Sequence, residues 1–245
     1  MHRAVVTLSI TAALTAGTAV LGAQAPFNTA VLRAGERQAR IDAQSYLAPR
    51  ERGGWVWTLP SVATGLGGGL EVGIGMSQVA PRPFMTHHVD VTLAAKWAPF
   101  AGRRAPVDLA VGAFGLLPTQ RVRDGMPVAP ITFLFVAASR AVRPSRGDAS
   151  TVLSLAGYAV EGAESGHRHG AMIGIDQPLP VAWATGLRVD ALRLNTSWVT
   201  GNTLFGYASA SLQLFRGPVN VSLGYARGNV AAFNHGPMAG IGIAF

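Results

Sequence analysis

The chain contains no cysteine. That excludes a disulfide framework, a thiolate metal site and a cysteine nucleophile. It also excludes lipid attachment at a cleaved lipoprotein signal, which needs a cysteine. Charge is scarce: 13% of residues are Asp, Glu, Lys or Arg, about half the share typical of soluble domains. Lysine occurs once, at Lys96, so the formal charge of +8 rests on arginine. Hydrophobic runs are short. Beyond the N-terminus no stretch approaches the roughly 18 apolar residues of a transmembrane helix, although 49% of the chain is hydrophobic. Signatures of chemistry are missing as well. The glycine run at 65–69 is not followed by Lys-Ser/Thr, so it is no phosphate loop. No Gly-x-Ser-x-Gly elbow occurs.

What the chain has instead is alternation. Ala239, Ile241, Ile243 and Phe245 share one face, and Met238, Gly240, Gly242 and Ala244 share the other. A two-residue period belongs to strands, whose successive side chains point to opposite sides. The pattern recurs upstream. Val89, Val91, Leu93, Ala95 and Trp97 oppose His88, Asp90, Thr92, Ala94 and Lys96. Leu70, Val72, Ile74 and Met76 oppose Glu71, Gly73, Gly75 and Ser77. Further candidates are 107–114, 153–159, 171–176, 204–215 and 219–226. In 131–140, Ile131, Phe133, Phe135 and Ala137 read as the apolar face, which puts Arg140 on the polar one. The stretch 187–194 breaks phase, and a bulge near Ala191 would restore it. Trp55, Trp57 and Leu59 open another strand, with Pro60 read as its end.

Eleven candidate strands result, each about nine to twelve residues long, the length a tilted transmembrane strand needs. The expected fold is all-β: an antiparallel up-and-down transmembrane barrel of 10–12 strands, since such barrels close with even numbers. Residues 24–53 hold the undecided element, a short helix or a first strand; the barrel proper is expected over 54–245. The polar faces are rich in Gly, Ala and Ser, and Trp and Tyr fall near strand ends, where amphipathic rings favour a membrane interface. Residues 1–23 read as a signal peptide: a basic start at His2 and Arg3, an uncharged apolar core, and Leu21-Gly22-Ala23 before the cleavage site.

The C-terminal run Ala239, Ile241, Ile243, Phe245 resembles the last strand of bacterial outer-membrane β-barrels, whose terminal Phe and alternating apolar residues form the assembly signal. A looser likeness links 174–245, through Gly201-Asn202-Thr203, Gly206-Tyr207, Gly224-Tyr225 and Gly228-Asn229, to uncharacterised outer-membrane barrels. The resemblance implies export to the outer membrane of a Gram-negative-type bacterium, with outer-membrane lipid, lipopolysaccharide and the barrel assembly machinery as partners. The arginines are scattered over loops without interleaved aromatics, so nucleic acid is not expected.

The functional expectation is a porin-like passive channel for small solutes or ions, not an enzyme and without cofactors. Glu71, Asp90, Lys96, Asp108, Arg140 and Asp176 are its expected lumen-lining residues, able to bias passage or simply to fill the interior. A structural barrel with a plugged lumen and a lipid-modifying enzyme are the alternatives. His87 and His88 point to opposite sides of a strand and do not make a metal site. His167 and His169 share a face beside Arg168, a weak metal motif at most.

Overall fold

Residues 29–46, 55–81, 88–100, 106–120, 122–123, 126–127, 129–142, 151–161, 169–183, 186, 188–200, 207–228 and 235–245 are described in the computed structural model. Alternation commits most of them to strands: β1 (Arg37–Tyr46), β2 (Trp55–Gly67), β3 (Leu70–Pro81), β4 (His88–Trp97), β5 (Asp108–Pro118), β8 (Ile131–Val142), β9 (Thr151–Glu161), β10 (His169–Leu179), β11 (Ala191–Val199), β12 (Tyr207–Arg216), β13 (Val219–Gly228) and β14 (His235–Ala244). Between β5 and β8 a small hairpin, β6 (Val122–Arg123) and β7 (Met126–Pro127), forms a separate two-stranded sheet.

The long strands form a closed barrel in which each pairs with its neighbours in sequence and β1 pairs with β14. All these pairings are antiparallel. The segment 24–53 therefore supplies a strand, the twelfth, and makes the count even. Reciprocal backbone bonds lock the seam: Arg37 N–H donates to Phe245 O and Phe245 N–H to Arg37 O, both at 2.9 Å. Closure leaves the main sheet no unpaired edge.

Tight turns sit at one end of the barrel. Gly68 and Gly69 join β2 to β3, and both adopt positive φ (61° and 78°), a conformation glycine reaches without strain. Gly217 and Pro218 join β12 to β13. The chain's first described residues and Phe245 lie at this turn end. At the other end, the loop end, β5 and β8 are joined through the β6–β7 hairpin; connections longer than a tight turn occur at both ends.

Three local expectations are corrected. Pro60 does not end a strand; β2 continues to Gly67. The β2–β3 register merely skips Leu59 and Pro60, because proline has no N–H to give the ladder. No bulge interrupts β11. It starts at Ala191 and pairs continuously with β10 and β12, while a 3-10 turn at Val181–Trp183 occupies the connection before it. The register shift that does occur lies in β2, between Gly65 and Gly67.

The third correction concerns β8. Leu134 (50% exposed) and Val136 (59%) point outward, whereas Phe133 and Phe135 are buried inside. Both faces of this strand are apolar, so alternation alone does not say which one faces in. Arg140 shares the parity of Leu134 and Val136 and is exposed on the outside, at the turn end, where a long cationic side chain can reach polar surroundings. It is not a lumen residue.

Candidate functional site: the barrel lumen

The two faces of the wall are reversed relative to a water-soluble barrel. Outward residues are large, apolar and exposed: Ile74 at 56%, Leu155 at 57%, Leu223 at 57%. Inward residues are polar or charged and buried, among them Gln38, Arg40, Asp42, Glu71, Thr92, Lys96, Ser211, Gln213, Asn220 and Ser222. Burying polar groups while exposing aliphatic ones is unfavourable in water. In a bilayer the same arrangement is favourable, because lipid covers the outside and the buried charges inside are paired. Gln38 Oε1, Ser61 Oγ and Gln213 Oε1 are buried without a hydrogen-bond partner among the described residues. Trp97 stands exposed at the turn end, its indole N–H donating to Gly68 O at 3.2 Å, and Trp198 and Tyr225 stand exposed toward the loop end. These are the two levels expected of an aromatic belt. The side chains of Trp55, Trp57 and Trp183 lie outside the described residues.

The lumen is filled in a way that depends on glycine rows. On one wall Arg40 and Asp42 of β1 flank Gly242 and Gly240 of β14, with Asn220 and Ser222 of β13 beyond. With no side chain on the middle strand, Arg40 reaches across it. Its Nε donates to Asp42 Oδ2 at 2.6 Å, its Nη1 to Asn220 Oδ1 at 3.5 Å and its Nη2 to Ser222 Oγ at 3.4 Å. A Cβ on Gly240 would collide with Asp42 and Ser222. Farther round, Arg193 Nε donates to Asp176 Oδ1 at 2.7 Å. Ser197 pairs with Ser209 at 2.7 Å, and Ser139 with Ser154 at 2.8 Å.

The opposite wall is apolar toward the loop end. The register places Gly112, Phe135, Tyr158 and Gly170 in one row across β5, β8, β9 and β10. Phe135 lies over Gly112 and Tyr158 over Gly170, so the glycines make room for the rings beside them. The Tyr158 hydroxyl donates to Thr200 O at 2.6 Å, giving its polar tip the partner that burial requires. Phe133, Phe135, Tyr158, Val160, Met172 and Val199 form a buried cluster, with Phe114, Leu116 and Ile131 packed against it.

At the turn end the chain itself enters the lumen. Residues 29–36 fold back along β2, so that Leu32 is 2% exposed and packs against the inward Ala63. Leu32 N–H donates to Glu71 Oε2 at 2.8 Å, and the other oxygen of that carboxylate lies 3.8 Å from Lys96 Nζ. Gly35 N–H donates to Gly65 O and Gly65 N–H to Glu36 O, each at 3.0 Å. Gly65 must be glycine here: a Cβ would run into the carbonyls of Leu32 and Arg33.

The six sequence-chosen lumen residues thus have different surroundings. Glu71 and Lys96 are buried together beneath the strap, and Asp176 is paired with Arg193. Asp90 and Asp108 are half-buried on inward positions, and Arg140 is outside. The sequence did not single out Arg40, Asp42 or Arg193, nor the strap residue Leu32. The signal for Arg40 and Asp42 lay in the short polar alternation of 38–42, which is also compatible with a helix. His87 and His167 lie outside the described residues, and His169 is exposed. Among the described residues no group of three or more His, Cys, Asp or Glu side chains could hold a metal.

No family model and no curated protein matches this sequence. Solved structures with a related outline include outer membrane phospholipase A from Escherichia coli, in an active-site mutant form, at 16% identity over 87% of this chain and 91% of that one, TM-score 0.43. CdiB from Acinetobacter baumannii is 9% identical over 87% and 60%, with TM-score 0.35. A mutant of the Rh. blastica porin is 10% identical over 85% and 99%, with TM-score 0.28. At these values the likeness assigns no activity, and the functional reading rests on the lumen and the outer surface.

Proposed function

We propose that this chain is an outer-membrane β-barrel of porin-like build whose lumen is shut in the state described, and not a continuously open pore. The observation that carries the reading is the inverted wall: aliphatic residues exposed outside, charged and hydroxyl groups buried and paired inside. A ten-residue strand tilted by about 40° rises roughly 25 Å, the height of an outer-membrane apolar band. The end that holds residues 29–36, Phe245 and the two-residue turns would face the periplasm, as in bacterial barrels. On this reading the C-terminal residues Ala239, Ile241, Ile243 and Phe245 serve as the assembly signal, and lipopolysaccharide and phospholipid bathe the outer face.

The burial of the interior charges supports the shut-lumen reading. A freely conducting pore keeps charged residues in water. Here the ion pairs are withdrawn from it: Arg40 and Asp42 have side chains 6% and 5% exposed, Lys96 and Glu71 7% and 6%. A buried pair is electrically neutral as a unit and offers little to a passing ion. The refolded protein is expected to migrate faster unheated than boiled on a gel, because a closed barrel resists detergent. In a planar bilayer the inserted protein is expected to be silent at moderate voltage. Steady large conductance steps from wild-type protein would overturn the shut-lumen reading and restore the open channel. Partition into the aqueous phase, with no insertion, would overturn the membrane reading itself.

A further inference from the structure

Resting on that reading, we propose that residues 29–36 are a removable gate at the turn end of the barrel, seated by Leu32 and released as a unit, whose departure wets the lumen floor formed by Ala63, Gln38, Glu71 and Lys96. The strap is not a strand of the barrel. It touches the main sheet through one isolated parallel bridge, Ala34 to Gly65, and a few hydrogen bonds around Gly65 and Glu71. The barrel closes without it, since β1 begins at Arg37 and already pairs with both β2 and β14. Releasing the strap therefore leaves the pairings of β1 with β2 and β14 in place and breaks only its own bonds to Thr64, Gly65 and Glu71. Its hold combines buried Leu32 and Thr29 with Ala30 packed beside them, one backbone N–H aimed at the Glu71 carboxylate, and the bonds of Gly35 and Glu36 to Gly65 and Thr64. Arg33 and Ala34, next to the buried residue, are exposed.

The wall is shaped for this occupant. Gly65 lacks the Cβ that would strike the strap's carbonyls, and the inward residue two positions before it is the small Ala63, on which Leu32 sits. Glu71 serves both sides, accepting from the strap with one oxygen and facing Lys96 with the other. When the strap leaves, the Glu71–Lys96 pair remains and water replaces the lost N–H. The uncovered floor then carries a carboxylate, an ammonium and an amide, a surface that small polar solutes can wet.

The absence of cysteine provides a clean test. Ala63→Cys places one thiol under Leu32, and its reaction with a charged, membrane-impermeant thiosulfonate is timed in folded protein, in detergent and in liposomes. With the strap seated the thiol is expected to react slowly. Adding Gly65→Ala, which evicts the strap while leaving the ion pair untouched, should speed the reaction roughly tenfold or more, since burial of one leucine shifts an equilibrium by at least a decade. Leu32→Asn alters only the strap and should do the same, which keeps the test valid if Gly65→Ala does not fold. If either evicting variant folds, as judged by the unheated gel band, and the Ala63→Cys rate stays unchanged, the gate is refuted and the barrel stands. The same holds if the thiol reacts fast in the otherwise unaltered chain. Failure to insert into liposomes, with the detergent result as expected, would instead count against the membrane reading.

Discussion

Lys96 illustrates what a single residue can reveal in a chain this poor in charge. It is the only lysine, and it is spent inside the barrel opposite Glu71. Removing one member of a buried pair strands the other charge, at a cost of about 3–5 kcal/mol. Lys96→Met is therefore expected to destabilise the barrel by that order, read as a lower urea midpoint for loss of the unheated gel band. The double change Lys96→Met with Glu71→Gln should recover much of the loss, because neither charge is then left alone. A double variant as unstable as the single one would mean that packing, and not charge, sets the cost. Arg193 and Asp176 form a comparable pair with side chains 13% exposed on each side, and breaking it should cost less.

At the scale of the element, β8 shows where the sequence was informative and where it was not. Strand existence was legible nearly everywhere, because a two-residue period needs only local composition. The facing of β3, β4, β9, β10 and β12 was legible too, since the polar side chains in the middle of each gather on one side. In β8 both sides are apolar, and the choice between them is made by neighbours distant in sequence. Gly112 and Gly170 sit where Phe135 and Tyr158 need space, and no local window contains that row. Arg40 and Asp42 escaped for a similar reason. Besides Asp42, the partners of Arg40 are Asn220 and Ser222, at separations of 180 and 182 residues. The orientation of β8 is directly testable. Val136→Arg puts a charge on the lipid face and should cost about 2–4 kcal/mol in a bilayer if it lies near the midplane. Arg140→Ala should leave stability near wild type and the inserted protein silent. Conductance that appears with Arg140→Ala would return that residue to the lumen.

For the whole molecule, the seam between β1 and β14 decides whether a barrel exists. Phe245 contributes to it in two separable ways: its backbone exchanges two hydrogen bonds with Arg37, while its ring stands 65% exposed at the outer surface. The assembly-signal reading assigns the ring a recognition role. Deletion of Phe245 removes both contributions, whereas Phe245→Ala keeps the backbone bonds and removes only the ring. Both are expected to reduce the yield of the unheated, folded band in cells. Normal assembly of Phe245→Ala together with failure of the deletion would show that the seam bonds matter and the ring does not.

The same seam has a kinetic meaning. Ile41 must find Ile241, a pairing between the two extremes of the chain, and such encounters are slow because the entropy of the intervening loop is spent before any contact rewards it. Every other neighbour in the barrel is a hairpin or a short excursion away and can form as the chain is delivered. Folding should therefore proceed as a growing curved ribbon with two raw edges, one of them β1, waiting for the last ten residues. During that interval the molecule is at its most vulnerable to edge pairing with another chain. A helper that holds the waiting edge would shorten the search, and the last strand is the piece of sequence it would have to read.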